Sequence, residues 1–122
     1  MAPQNRLPLP SPQPSLADLQ LGVDEWIRSI GVRYFNELTN MAILTEEVGE
    51  LARIMARRYG EQSFKKGEEK ADVGEEMADV LFVLLCLANQ CKVDLGRAFD
   101  RKMKKRSARD RTRHRRNPKL RS

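Results

Sequence analysis

From Leu16 onward, apolar residues return at helical spacing. Leu16, Leu19, Val23, Trp26, Ile27 and Ile30 share one side of a helix that Ser15 can cap and Gly31 can end. The next run predicts a helix from about Asn36 to Tyr59, where Gly60 supplies the stop. Glu61 to Lys70 is polar and reads as a connecting loop. A third helix is expected from near Asp72 to about Gln90, with Glu75 giving a capping-box-like start. Asp94 has the character of an N-cap for a fourth helix carrying Leu95, Ala98, Phe99 and Met103. No strand-like alternation, hairpin dipeptide or internal repeat competes, so the expected fold class is all-α. Met1 to Pro14 holds five prolines and no apolar period, and is expected to be an extended or disordered leader, residues 1–14. The helical domain is then residues 15–108, followed by a basic tail at 109–122.

Each central helix carries two rows of interest. On the second, Met41, Leu44, Val48, Leu51 and Met55 form an apolar seam that reads as core. Beside it runs Ile43, Glu47, Glu50, Ile54, a row with two carboxylates between apolar ends. On the third, Val73, Met77, Val80, Leu84, Leu87 and Cys91 make the seam. Asp72, Glu76, Asp79, Val83, Cys86 and Gln90 make the neighbouring row. Each helix thus offers an acidic i, i+3 pair. Like charges that close repel unless a cation sits between them, and a hard, all-oxygen donor set suits magnesium, or manganese as a substitute. Either pair alone reads more simply as solvated surface charge, since Glu is a good helix former. Two pairs on partly apolar rows of paired helices favour the metal site.

The formal net charge is +6, but residues 97–122 carry 13 Lys or Arg against two Asp, which leaves the rest of the chain at −5. An acidic body with a basic tail fits polyanion binding, or a solvated extension that aids solubility. The longest apolar stretch, Val80 to Ala88, is well short of the roughly 20 residues a membrane span needs. Met1 to Gln13 lacks a signal peptide's apolar core, so a soluble, cytoplasmic protein is expected, with no membrane partner. Cys86 and Cys91 suit buried thiols rather than a disulfide framework or a zinc site. The single histidine, His114, lies in the basic tail, which argues against a di-iron bundle with Glu-x-x-His pairs and against His-dependent nucleophilic catalysis. Glycine-rich phosphate loops are absent.

Thr45 to Ala52, TEEVGELA, and Gly74 to Leu81, GEEMADVL, resemble the Glu-x-x-Glu and Glu-x-x-Asp elements of the MazG-like nucleotide pyrophosphohydrolases, the all-α NTP pyrophosphatase superfamily. Leu87-Ala88-Asn89, Val93-Asp94-Leu95 and Lys102 continue the resemblance, which covers about Trp26 to Arg109. It implies a four-helix, bundle-like protomer in a dimer or dimer of dimers, with substrate sites built partly across the interface. It also implies magnesium-dependent hydrolysis of a nucleoside triphosphate to the monophosphate and pyrophosphate, in a nucleotide-pool clean-up role. By position Glu47, Glu50, Glu76 and Asp79 would be the metal ligands. The basic cluster Lys102 to Arg106 departs from the mixed polar text of some relatives.

Other roles follow from the helices and their charge. Glu46 neighbours a ligand but lies about 100° round the helix, a place to orient or deprotonate the attacking water, or simply to be an exposed acid. Lys102 and Lys105 are candidates for phosphate contacts, with a solvated basic face as the plain alternative. Trp26, Tyr34, Phe35 and Asn89 could meet the base, although Trp26 also sits where core packing would put it. Two competing functions remain: a basic-tailed nucleic-acid-binding module and an inactive oligomeric scaffold. Nucleic acid is not the expected partner, because the acidic body would repel it and no aromatic residue follows Phe99.

Overall fold

The computed structural model describes residues 12–121, so most of the expected leader lies outside the described residues. Four helices follow one another: α1 Leu16–Ser29, α2 Glu37–Tyr59, α3 Val73–Gln90 and α4 Leu95–Asp110. Single 3₁₀ turns occupy Glu68–Lys70 and Pro118–Leu120. There is no strand among the described residues.

The ends of the helices follow local chemistry. Ser15 caps α1 in a reciprocal pair, its hydroxyl accepting from the Asp18 N–H while the Asp18 carboxylate accepts from the Ser15 N–H, each at 3.0 Å. Asn36 caps α2 through the Leu38 N–H at 2.8 Å. Asp94 caps α4 through the Arg97 N–H at 3.0 Å. Asp72 caps α3, but by accepting from the Gly74 N–H at 2.7 Å rather than through the box with Glu75 that the spacing suggested. Gly60 closes α2 where a Cβ would come within 2.5 Å of the Ala56 carbonyl oxygen.

α2 and α3 form the central antiparallel pair. At one end the Asn40 amide, which is buried, donates to Gln90 Oε1 at 2.8 Å, and Gln90 Nε2 donates to the Phe35 carbonyl at 2.6 Å. At the other, Arg58 donates to the Ala71 carbonyl at 2.5 Å. α1 packs on α3 through Trp26, whose ring meets Phe82 edge-on with centroids 5.7 Å apart. The start of α4 is tied to α1, since Gln20 Oε1 accepts from the Leu95 N–H at 2.9 Å. No residue of α4 is buried. No helix among the described residues is long and apolar enough to cross a membrane.

The core corrects one expectation. The seams read as core are largely outside it: Met41 and Met77 are each 50% exposed, and Val48, Met55 and Leu84 are exposed too. The buried positions include Ile54 on the acid-bearing row of α2, and Val83 and Cys86 on that of α3. The helices therefore face each other with their mixed rows, and their cleanest apolar faces are left uncovered in a single chain. A seam is apolar enough to be core, but a row with acids along only part of its length can be buried over the rest; the packing partner decides between them.

The start of the tail gathers on Asp110, whose carboxylate meets Arg109 at 2.9 Å, Arg113 at 3.4 Å and His114 at 3.8 Å. Hydrogen bonding from Arg109 is the main cause that pulls the Asp110 carboxyl down to about 2, against some burial and with help from Arg113.

Candidate metal and nucleotide site

Because the mixed rows face each other, acids from two helices converge. Glu47 from α2 and Glu76 and Asp79 from α3 place carboxylate oxygens within 4.8 Å of one another. Glu76 and Asp79 are i, i+3 on one face, and Glu47 opposes them across the helix pair. Glu47 and Glu76 are partly buried while Asp79 is exposed, which leaves the cluster open on one side. Burial first, then repulsion from Asp79, Glu76, Glu50 and Glu46 in that order, raises the Glu47 carboxyl above its ordinary value.

Glu50 is close enough to add to that repulsion but stands outside the trio, with its carboxylate 4.0 Å from the Arg53 guanidinium. Glu46 is exposed beside Glu47 and also adds to the repulsion. The donor set fits a hard divalent cation: three carboxylates, no nitrogen or sulfur, and repulsion concentrated on the innermost acid.

One turn from the acids on both helices the lining becomes apolar. Ile43 lies four residues before Glu47, and Val83 four after Asp79; both line a hollow of about 280 Å³ with Trp26, Phe35, Phe82 and Cys86. Trp26 is 46% exposed, so it serves two surfaces at once: its ring packs perpendicular to Phe82 and part of it remains at the hollow. Burial lifts the Cys86 thiol above its ordinary value, which makes it a wall rather than a nucleophile. Trp26, Tyr34 and Phe35, three of the four residues considered for the base, line this hollow; its closure by Ile43, Phe82, Val83 and Cys86 was not read from the sequence.

Asn89, considered for the base, and Lys102 and Lys105, considered for phosphate, do not line this hollow. The Asn89 amide donates to the Gln20 carbonyl at 2.9 Å and to the Tyr34 hydroxyl at 3.0 Å, and its oxygen accepts from Gln20 Nε2 at 3.1 Å. That amide is consumed in fastening α1 and the α1–α2 connection to α3. Tyr34 in turn donates to Asp24 at 2.6 Å, and desolvation together with that bond pushes its hydroxyl up to about 12. Asn89, Tyr34, Asp24 and Gln20 line a separate, more open cavity of about 460 Å³. Lys102 and Lys105 are exposed on α4, without a hydrogen bond or ion pair among the described residues. Neither lysine is among the charges that act on Glu47.

Residues 35–114 match the MazG nucleotide pyrophosphohydrolase domain, which takes in α2, α3, the acidic trio and α4. The chain belongs to the MazG nucleotide pyrophosphohydrolase family. It is 46% identical over 99 residues to the uncharacterised protein YpjD of Bacillus subtilis (strain 168), covering 81% of this chain and 89% of that one. The crystal structure of Bacillus subtilis YpjD matches with a TM-score of 0.71 at 46% identity, covering 80% of this chain and 98% of that chain. A second crystal structure, of the Bacillus-conserved MazG protein, a nucleotide pyrophosphohydrolase, matches with a TM-score of 0.64 at 39% identity over 76% of this chain and 89% of that chain. Rat dCTP pyrophosphatase 1 is 35% identical over 98 residues, 76% of this chain, but the match spans only 57% of the rat protein's length. The MazG family thus makes this chain a hydrolase of nucleotide pyrophosphate bonds, and the acid trio with its adjoining hollow is the place in the fold whose chemistry suits that reaction.

Proposed function

We propose that the chain hydrolyses a nucleoside triphosphate to the monophosphate and pyrophosphate with magnesium, as part of clearing the nucleotide pool. The observation that carries this reading is the adjacency of a hard-cation cluster to an apolar hollow: Glu47, Glu76 and Asp79 at one end, Trp26, Ile43 and Phe82 at the other. A triphosphate is polyanionic and a base is flat and apolar, so one substrate answers both ends.

Glu47, Glu76 and Asp79 would hold the cation, with Glu50 joining if its carboxylate turns from Arg53. A divalent cation held there supplies neutralisation of phosphate charge and acidification of a bound water. Glu46 lies beside the cluster and is the carboxylate proposed to orient or deprotonate the attacking water. Trp26 offers its partly exposed ring to the base. Lys102 and Lys105 would reach phosphate from a second copy of the chain, because their helix packs on α1 rather than on the acid-bearing pair. A dimer or dimer of dimers follows from the uncovered seams of α2 and α3.

The test is product analysis on a panel of common and damaged nucleoside triphosphates, with and without magnesium. The reading expects monophosphate and pyrophosphate in equal amounts, only with the metal. Release of orthophosphate instead would place the attack on a different phosphorus and overturn it.

A further inference from the structure

α4 is 16 residues long, about 24 Å of helix, yet it buries nothing. Its side chains are sorted by charge. At about 100° per residue, all seven basic residues from Arg97 to Arg109 fall within an arc of about 200°. Phe99, Met103, Asp100 and Asp110 occupy the remaining side.

The few acids present are already spent. Asp94 pairs with Arg97 at 3.5 Å, Asp100 with Lys104 at 3.1 Å, and Asp110 with Arg109, Arg113 and His114. Arg101, Lys102, Lys105 and Arg106 make no ion pair or hydrogen bond among the described residues, although they sit on two successive turns of one face. Like charges at i, i+4 destabilise a helix, so this face is held at a cost that an external polyanion would remove. Beyond it Arg111, Arg115, Arg116 and Lys119 remain exposed, on turns that the Asp110 knot holds in place.

We propose that α4 and the turns after it form a docking arm for the phosphate backbone of double-stranded nucleic acid. This is a binding function beyond hydrolysis, carried by Arg101, Arg106 and the arginines after α4, and it shares with the proposed substrate site only Lys102 and Lys105. The acidic body was the reason to expect no such partner, but the acids of the trio lie on α2 and α3, whereas α4 packs on α1. Charge of both signs is thus divided between two parts of the molecule. A single helix also fits the major groove of B-form DNA, about 12 Å wide, whereas on an RNA duplex only the backbone is open to it. Phe99, exposed on α4, lies outside the basic arc and no aromatic residue follows it, so the basic face itself offers nothing to stack on single-stranded bases, and the recognition is of backbone charge and independent of sequence.

Fluorescence anisotropy of the full chain against labelled DNA and RNA duplexes of about 20 base pairs, titrated with salt, tests this. Binding should weaken linearly in log–log form as salt rises. The variant Arg101→Ala/Arg106→Ala/Arg115→Ala/Arg116→Ala should bind at least about tenfold more weakly at low salt, with the salt slope shallower by roughly 2 to 4. The matching four Arg→Lys changes should retain binding, since the contact is to charge rather than to base edges. Helicity and the pyrophosphate release rate should be unchanged in both. An alanine variant that binds duplex like the parent overturns the proposal. So does a parent that ignores duplex but binds phosphatidylserine vesicles, which would make the arm a membrane-surface element. A parent that ignores duplex and a variant altered only in KM for nucleotide would assign the arm to substrate attraction, and also overturn it.

Discussion

Glu47 faces the acids of α3 from a partly buried position, and its carboxyl is raised above the ordinary 4.5 by burial first and then by Asp79, Glu76, Glu50 and Glu46. The sign of the consequence follows from linkage. A raised carboxyl pKa means that the folded state binds its proton more tightly than the unfolded state does. Metal-free protein therefore loses stability as pH rises from about 4.5 through the raised value. Glu47→Gln should raise the Tm of the metal-free protein at neutral pH, and this gain should vanish near pH 4 in thermal scans across pH. Magnesium should raise the Tm of the parent but not of the variant. The i, i+3 spacing put Glu76 and Asp79 on one face of α3, and Glu47 was read with Glu50 as the matching pair on α2, of which Glu47 alone joins the trio. The sequence could not show that Glu50 sits by Arg53, since that choice depends on a side-chain rotation, nor that Asn89 is used up by Gln20 and Tyr34, which are 69 and 55 residues away along the chain.

The helices themselves were legible because their signals are local: Ser15, Asn36, Asp72 and Asp94 all cap where their type and position require. The burial of the faces was not, because the wholly apolar seams are the natural choice for core, and only the mutual packing of α2 and α3 turns the mixed rows inward. Two glycines separate backbone necessity from tolerance. At Gly60 an added Cβ meets the Ala56 carbonyl oxygen at 2.5 Å, so Gly60→Ala should cost about 1–3 kcal/mol. Gly22, inside α1, has open space where a Cβ would go, and Gly22→Ala should instead add about 0.5–1 kcal/mol. Urea unfolding of the two variants beside the parent checks both signs.

At the scale of the molecule, exposed Met41, Val48 and Met55 on α2 and Met77 and Leu84 on α3 form apolar surface that one chain leaves in water. Burying such a surface against a second copy would remove it from water at about 25 cal/mol per Å². Val48→Asp with Leu84→Asp should therefore shift sedimentation toward a monomer while helicity is kept. Unchanged association would place the interface elsewhere.

The claim on which the rest depends is that the converged carboxylates of α2 and α3 hold the ion needed for hydrolysis. It is tested most directly by the rate of pyrophosphate release from Asp79→Asn beside the parent as magnesium is titrated. Activity in the parent should rise with magnesium and saturate, and the variant should lose at least about 100-fold, with helicity unchanged. A variant that keeps the parent's rate and its magnesium dependence would contradict that claim.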